Sequence, residues 1–174
     1  MLSYKADEKL KLSVEKASTN CLEKNPDSLL LIGGEMAGIQ DFIYDIVRKA
    51  AAKNLKGRSF YLQLVVDSIV MSLIETLEIT PEHIIYASGG GFYIIAPNTD
   101  VNQTKITDFR VATTQKLFEQ HGISLGFSLD FVVISKTELE TALPKKWEEL
   151  ITTVLQPQKK QRLMPILKTK SSSK

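Results

Sequence analysis

Ile84-Ile85-Tyr86-Ala87-Ser88-Gly89-Gly90-Gly91-Phe92-Tyr93-Ile94-Ile95-Ala96 reads as strand, glycine turn, strand. β-Branched and aromatic residues fill both arms, and the central glycines admit the positive φ that a tight hairpin needs. Pro81 on one side and Pro97-Asn98 on the other close off the unit. A second glycine cluster, Gly33-Gly34-Glu35-Met36-Ala37-Gly38-Ile39-Gln40, follows the apolar run Leu29-Leu30-Leu31-Ile32. That run, bounded upstream by Asn25-Pro26-Asp27-Ser28, predicts a short central strand covered on both faces, ending in a glycine turn. Both turns therefore fall at strand ends, where a backbone without side chains can come close to a ligand. That geometry suits a nucleotide site, and equally a plain hairpin with a close helix approach.

Working outward, the period changes at Ile39. Ile39, Phe42, Ile43, Ile46, Val47 and Ala50 recur at helical spacing, which predicts an amphipathic helix over 39–50. Asn54 to Arg58, with Gly57, reads as a basic turn, and Ser59 as the cap of a largely apolar helix from Phe60 to about Leu77. A third helix fits Val101 to His121, with Ile106, Phe109, Thr113 and Leu117 inward and Gly122 at its end. Leu125, Phe127, Leu129 and Phe131 alternate with Gly126, Ser128 and Asp130, a strand that runs on to Ile134. Pro144 precedes a last helix, Lys145 to Leu155, which carries Trp147. The order strand, helices, strand, strand, helix, strand is the βαββαβ layout of an α+β, ferredoxin-like sheet with helices on one face. RNA-recognition domains, polymerase palms and nucleotide cyclases share it, so topology alone assigns no function. The chain divides into a helical segment and linker over 1–27, the palm-like domain over 28–143, and a last helix with a basic tail over 144–174.

Composition narrows the classes. At 174 residues and 43% hydrophobic, the chain supports one core plus terminal segments. A net charge of +2 does not by itself make nucleic acid a partner. The single cysteine, Cys21, excludes an internal disulfide, and the charged stretch Met1 to Lys16 does not resemble a signal peptide. Asp67, Glu75 and Glu78 interrupt the longest apolar region, so no membrane span is expected and a cytoplasmic location is.

Three separated stretches go further. Gly34-Glu35-Met36-Ala37-Gly38-Ile39-Gln40-Asp41-Phe42-Ile43-Tyr44, Ala51-Ala52-Lys53-Asn54-Leu55-Lys56-Gly57-Arg58-Ser59-Phe60-Tyr61-Leu62-Gln63 and Ile85-Tyr86-Ala87-Ser88-Gly89-Gly90-Gly91-Phe92-Tyr93 resemble the first palm of the large signature subunit of type III CRISPR effector complexes, in its Csm-type branch. The resemblance covers about Leu29 to Ile134, and Trp147 to Arg162 looks like the segment that leaves that palm. It implies a cyclase-like palm from a multidomain antiviral protein that works with guide RNA and smaller subunits. In that family a second palm bears a Gly-Gly-Asp-Asp turn that binds metal and makes cyclic oligoadenylates from ATP, and a His-Asp domain cuts single-stranded DNA. Neither catalytic site is legible here, since no His-Asp dipeptide occurs and the hairpin reads Ser88-Gly89-Gly90-Gly91-Phe92 without a carboxylate.

The resemblance thus implies a non-catalytic half-site for an adenine nucleotide, built from Glu35, Met36, Ala37, Gly38, Ile39, Ser88, Gly89, Gly90 and Gly91. ATP and Mg²⁺ would bind only as a composite with the second palm, because two-metal chemistry needs several carboxylates and this chain offers Glu35 alone at the first strand's end. Where the family usually has Asp-Ile-Ser-Gly-Ile-Gln, this chain has Glu35-Met36-Ala37-Gly38-Ile39-Gln40, which lengthens one acid and removes a hydroxyl. Lys49, Lys53, Lys56 and Arg58 could meet triphosphate or RNA backbone, or form a solvated helix end. Tyr86, Phe92 and Tyr93 could stack bases, the feature a purely RNA-binding or structural module would use. His83, His121 and Cys21 stand apart from one another, with no metal-ligand spacing. A self-sufficient diguanylate-type cyclase is disfavoured by the missing hairpin acids.

Overall fold

Leu29 to Ile32 do form a central strand, but the strand does not stop at the glycines. In the computed structural model, which describes residues 12–19, 28–44 and 51–155, strand β1 runs Ser28–Ala37. Gly33 and Gly34 are strand interior and not a turn. The ring of Phe92 on the neighbouring strand occupies the space above Gly34, 2.1 Å from where a Cβ would stand, so glycine admits a buried aromatic without ending the ladder. All four side chains from Leu29 to Ile32 are fully buried, as a strand covered on both faces requires.

Strands β2 (Ile84–Ser88), β3 (Gly91–Pro97) and β4 (Gly126–Ser135) complete an antiparallel sheet in the order β2-β3-β1-β4. The register sets Gly34 opposite Phe92 and Leu129, and Glu35 opposite Gly91 and Ser128. Leu30, Ile32, Met36, Phe92, Ile94, Phe127 and Leu129 point to one face, against helices α3 (Ala51–Leu77) and α4 (Asp100–His121). Leu29, Leu31, Ile95, Val132 and Ile134 point to the other. There they meet Val14 and Ala17 of the helical stretch 12–19 (α1), Trp147 of helix α6 (Leu143–Glu149), and Leu150. The expectation of helices on one face only is therefore corrected: apolar residues of α1 and of the C-terminal segment give the sheet a second core.

Helix boundaries move for local reasons. The predicted turn at Asn54–Arg58 is helix, and Ser59 lies inside α3 and caps nothing. A glycine in a helix costs about 1 kcal/mol, which a helix of 27 residues with seven core side chains, Leu62 to Leu77, absorbs. Of the helix expected over 39–50, α2 (Ile39–Tyr44) is observed and 45–50 lie outside the described residues. Thr99 caps α4, its side chain accepting from the Asn102 N–H at 3.1 Å, and Gly122 closes it with an N–H bonded to the Phe118 carbonyl. The unforeseen helix α5 (Lys136–Thr141) starts with a capping box: Ser135 accepts from the Glu138 N–H while Glu138 accepts from the Ser135 N–H. The expected helix over Lys145–Leu155 begins earlier, as α6, and continues as a π-helical turn, Leu150–Leu155.

Within α3 the stretch Leu55–Leu77 is long and apolar enough to cross a membrane by length and composition, contrary to the sequence-based expectation. Its inner residues, including Val66, Val70, Leu73 and Ile74, are buried against the sheet, which is the role of a core helix. At the outer edge of β4, Arg110 of α4 donates to the Leu129 carbonyl and to Asp130 Oδ2, while Asp130 Oδ1 accepts from the Phe131 N–H. These side chains satisfy ladder groups that an edge strand otherwise presents to other chains.

Candidate nucleotide-binding site

The end of β1 and the hairpin turn are tied together. The Met36 N–H donates to the Gly90 carbonyl at 2.8 Å, one bond beyond the β1–β3 ladder. Gly90 has φ +90°, and a Cβ there would lie 2.1 Å from Ile39 Cδ1, so turn, strand end and the start of α2 are in direct contact only because this residue is glycine. Beside them is a cavity of about 190 Å³. Ile39 and Ile43 of α2 form one wall, Ser59, Leu62, Gln63 and Val66 of α3 a second, and Gly89 and Gly90 the rim. Its lining is mostly apolar, with one hydroxyl and one carboxamide, which suits a flat heterocycle read at its edge.

The sequence-predicted residues divide between the two faces of the sheet. Met36, Ile39, Gly89 and Gly90 lie on or next to the cavity. Gly38 closes the first turn of α2 by accepting from the Phe42 N–H at 2.9 Å. Glu35 belongs to the opposite face: it pairs with Gly91 and Ser128 in register, and its charge acts on Tyr93. Ala37 pairs with Gly126 and Ser88 with Gly91 on that same side of the pleat. Burial pushes the Tyr93 phenol above its ordinary pKa, a hydrogen bond with Trp147 pulls it back, and the negative charge of Glu35 adds to the rise.

The acidic groups near this end do not make a metal site. Glu35 is the one carboxylate at the β1–β3 junction, and the nearest other strand acid, Asp130, is engaged by Arg110 at 2.6 Å. Among the described residues no three His, Cys, Asp or Glu side chains converge as metal ligands. The donor set does not fit a pair of divalent ions.

Of the basic residues, Lys56 is exposed on α3, and Arg58 donates through Nη1 to the Phe42 carbonyl with its guanidinium 5.2 Å from the Phe42 ring centroid. Lys49 lies outside the described residues and Lys53 is placed only as backbone of α3. Phe92 is 1% exposed and Tyr93 stands 4.2 Å from Trp147, so of the three aromatics proposed for base stacking Tyr86 alone offers an open ring. His83 is buried, its Nδ1 hydrogen-bonded to the Thr80 carbonyl, and His121 shares a 2.9 Å hydrogen bond with the Tyr61 hydroxyl. Cys21 lies outside the described residues.

The α3 wall escaped the sequence reading. Ser59, Leu62, Gln63 and Val66 follow the spacing of one helix face, a signal lost because Ser59 read as a cap.

Fold and hairpin together define the chain as a ferredoxin-like palm domain whose hairpin turn is glycine without acids. Residues 28–171 match the model of the Csm1 subunit domain B, and the chain belongs to that family. The subtype III-A Cas10/Csm1 protein of Enterococcus italicus, described as a CRISPR system single-strand-specific deoxyribonuclease, is 33% identical over 120 residues. Those residues cover 69% of this chain and 14% of that protein, so the chain spans about one seventh of its relative. An apo Csm1–Csm4 cassette superposes with TM-score 0.68 at 28% identity, over 78% of this chain and 19% of the other. A Csm1–Csm4 cassette solved in complex with one ATP superposes with TM-score 0.57 at 32% identity, over 62% and 15%.

Proposed function

We propose that this chain is the non-catalytic, nucleotide-facing palm of a type III-A CRISPR large subunit. It forms one wall of an adenine-nucleotide site whose other wall is a second palm. That second palm brings the Gly-Gly-Asp-Asp turn, Mg²⁺ and the chemistry of cyclic oligoadenylate synthesis. The remainder of the large subunit, the smaller Csm subunits and guide RNA are its partners, in the cytoplasm. The carrying observation is the Met36–Gly90 hydrogen bond, which holds the strand end and hairpin turn as one rigid rim beside the cavity of about 190 Å³. The existence of a family neighbour solved with ATP supports the same reading.

The mechanism is positional. Leu62, Val66, Ile39 and Ile43 exclude water from a base, Ser59 and Gln63 supply polar atoms for its edge, and the tight Gly89–Gly90 turn leaves room for the sugar and phosphates to leave the cavity. Holding one reactant in place lowers the entropic cost of bringing two nucleotides together, without any proton transfer by this chain.

The test is a calorimetric titration of the chain with ATP and Mg²⁺, with Gly90→Val, Glu35→Ala and a short single-stranded RNA as controls. If the base cavity is preformed without the second palm, ATP binds saturably and Gly90→Val abolishes that binding, because its side chain would enter the space of Ile39. Glu35→Ala, altered on the opposite face, should have the smaller effect. No heat with ATP overturns a preformed half-site, and salt-sensitive RNA binding that ATP does not displace would make the chain an RNA-binding module instead.

A further inference from the structure

Helix α2 is described over Ile39–Tyr44, and none of these six residues is fully buried. It provides Ile39 and Ile43, a whole wall of the cavity. At its N-terminal end Ile39 touches the Gly90 turn. At the other end one residue of α3 reaches across: Arg58 Nη1 donates to the Phe42 carbonyl, and the same guanidinium lies over the Phe42 ring. The ring is enclosed further by Tyr61 and by the near-perpendicular ring of His121, at 6.1 and 5.7 Å between centroids, those two being joined by their own hydrogen bond. Arg58 immediately precedes Ser59, so the arginine that grips α2 adjoins the first residue of the α3 wall of the cavity.

We propose that Arg58 is a positioning residue: by holding Phe42 at both its carbonyl and its ring, it sets the distance between α2 and α3 and hence the width of the base cavity. This rests on the cavity receiving a base, as proposed above. It gives Arg58 a role different from a phosphate contact. A guanidinium suits the task because its planar fork donates to a carbonyl while its face covers an aromatic ring, which an ammonium cannot do together.

Two measurements on the full chain, with Arg58→Ala and Arg58→Lys, decide it. Hydrogen exchange resolved by segment should show the amides of 39–44 exchanging about tenfold or more faster in Arg58→Ala, the loss of one charge-assisted hydrogen bond. Exchange in β1 and in Leu62–Leu77 should stay as in the parent, with Arg58→Lys intermediate. Unchanged exchange in α2, or acceleration spread evenly over the sheet, would overturn the proposal. Affinities for adenosine, AMP and ATP should fall by the same factor in Arg58→Ala, since the base cavity is what changes. A loss confined to ATP would make Arg58 a phosphate ligand and overturn it too. A parent chain that binds none of the three overturns a half-site preformed without the second palm, while the exchange data still decide whether Arg58 holds α2.

Discussion

At the scale of single residues, three glycines that look alike in the sequence do three different jobs. Gly34 gives its space to the buried Phe92 ring, which is stacked on Phe127 at 6.2 Å and cannot retreat. Gly34→Ala should therefore cost about 1–3 kcal/mol through overpacking, read as a lower urea midpoint with the same slope. Gly57 sits on the exposed side of α3 with nothing within 4 Å of a Cβ. Gly57→Ala should raise stability by about 0.5–1 kcal/mol, and equilibrium urea unfolding distinguishes the two by sign. Gly90 belongs to the site, where its φ and the contact with Ile39 demand glycine. Sequence alone marks all three as breakers of regular structure. Only Gly90 breaks it, because a glycine's role depends on the atoms that face it, and those come from distant parts of the chain.

At the scale of elements, α5 depends on its N-terminal cap. Hydrogen bonds from the backbone and hydroxyl of Ser135 hold the Glu138 carboxyl below the ordinary carboxylate range, with a smaller contribution from Lys146. Against the burial that would lower it, Glu149 and Glu138 raise the pKa of Lys146. Because the Glu138 value is lowered on folding, the stability it contributes is present above the ordinary carboxylate pKa and is lost as pH falls through the lowered one. Glu138→Gln should consequently lower the thermal midpoint at pH 6 to 7 and converge with the parent in acid, once the pH has fallen through the lowered Glu138 value, as followed by circular dichroism. Thr99→Ala, which removes the side-chain acceptor at the start of α4, should cost about 1 kcal/mol, with no such convergence. The Ser135-x-x-Glu138 pattern is a legible capping box. Its importance was hidden by its place directly after a strand, where the alternation of β4 dominates the reading.

At the scale of the whole molecule, the sheet is a partition between two cores joined by β1. Trp147, the one tryptophan, lies against Tyr93 in the smaller core, while α3 and α4 define the larger. If β1 couples the two, tryptophan emission and helical circular dichroism should change at the same urea concentration. An earlier emission transition would mean that the C-terminal layer detaches first. The sequence by itself determined the α+β class, the four strands in order and the hairpin. Those depend on local periodicity and on turn residues, which act within a few positions. It also carried the family resemblance through three motifs whose residues are contiguous. Tertiary structure decided the rest: β1 continues through its glycines because Phe92 needs the space, and α3 runs unbroken through Gly57 because a long buried face outweighs one glycine. It also decided that Glu35 and Gly90, both singled out for one site, face opposite sides of the sheet, and that Ser59 and Gln63 join Gly90 instead. Such groupings arise from the pleat and from helix packing, which bring together residues that no spacing rule along the chain connects.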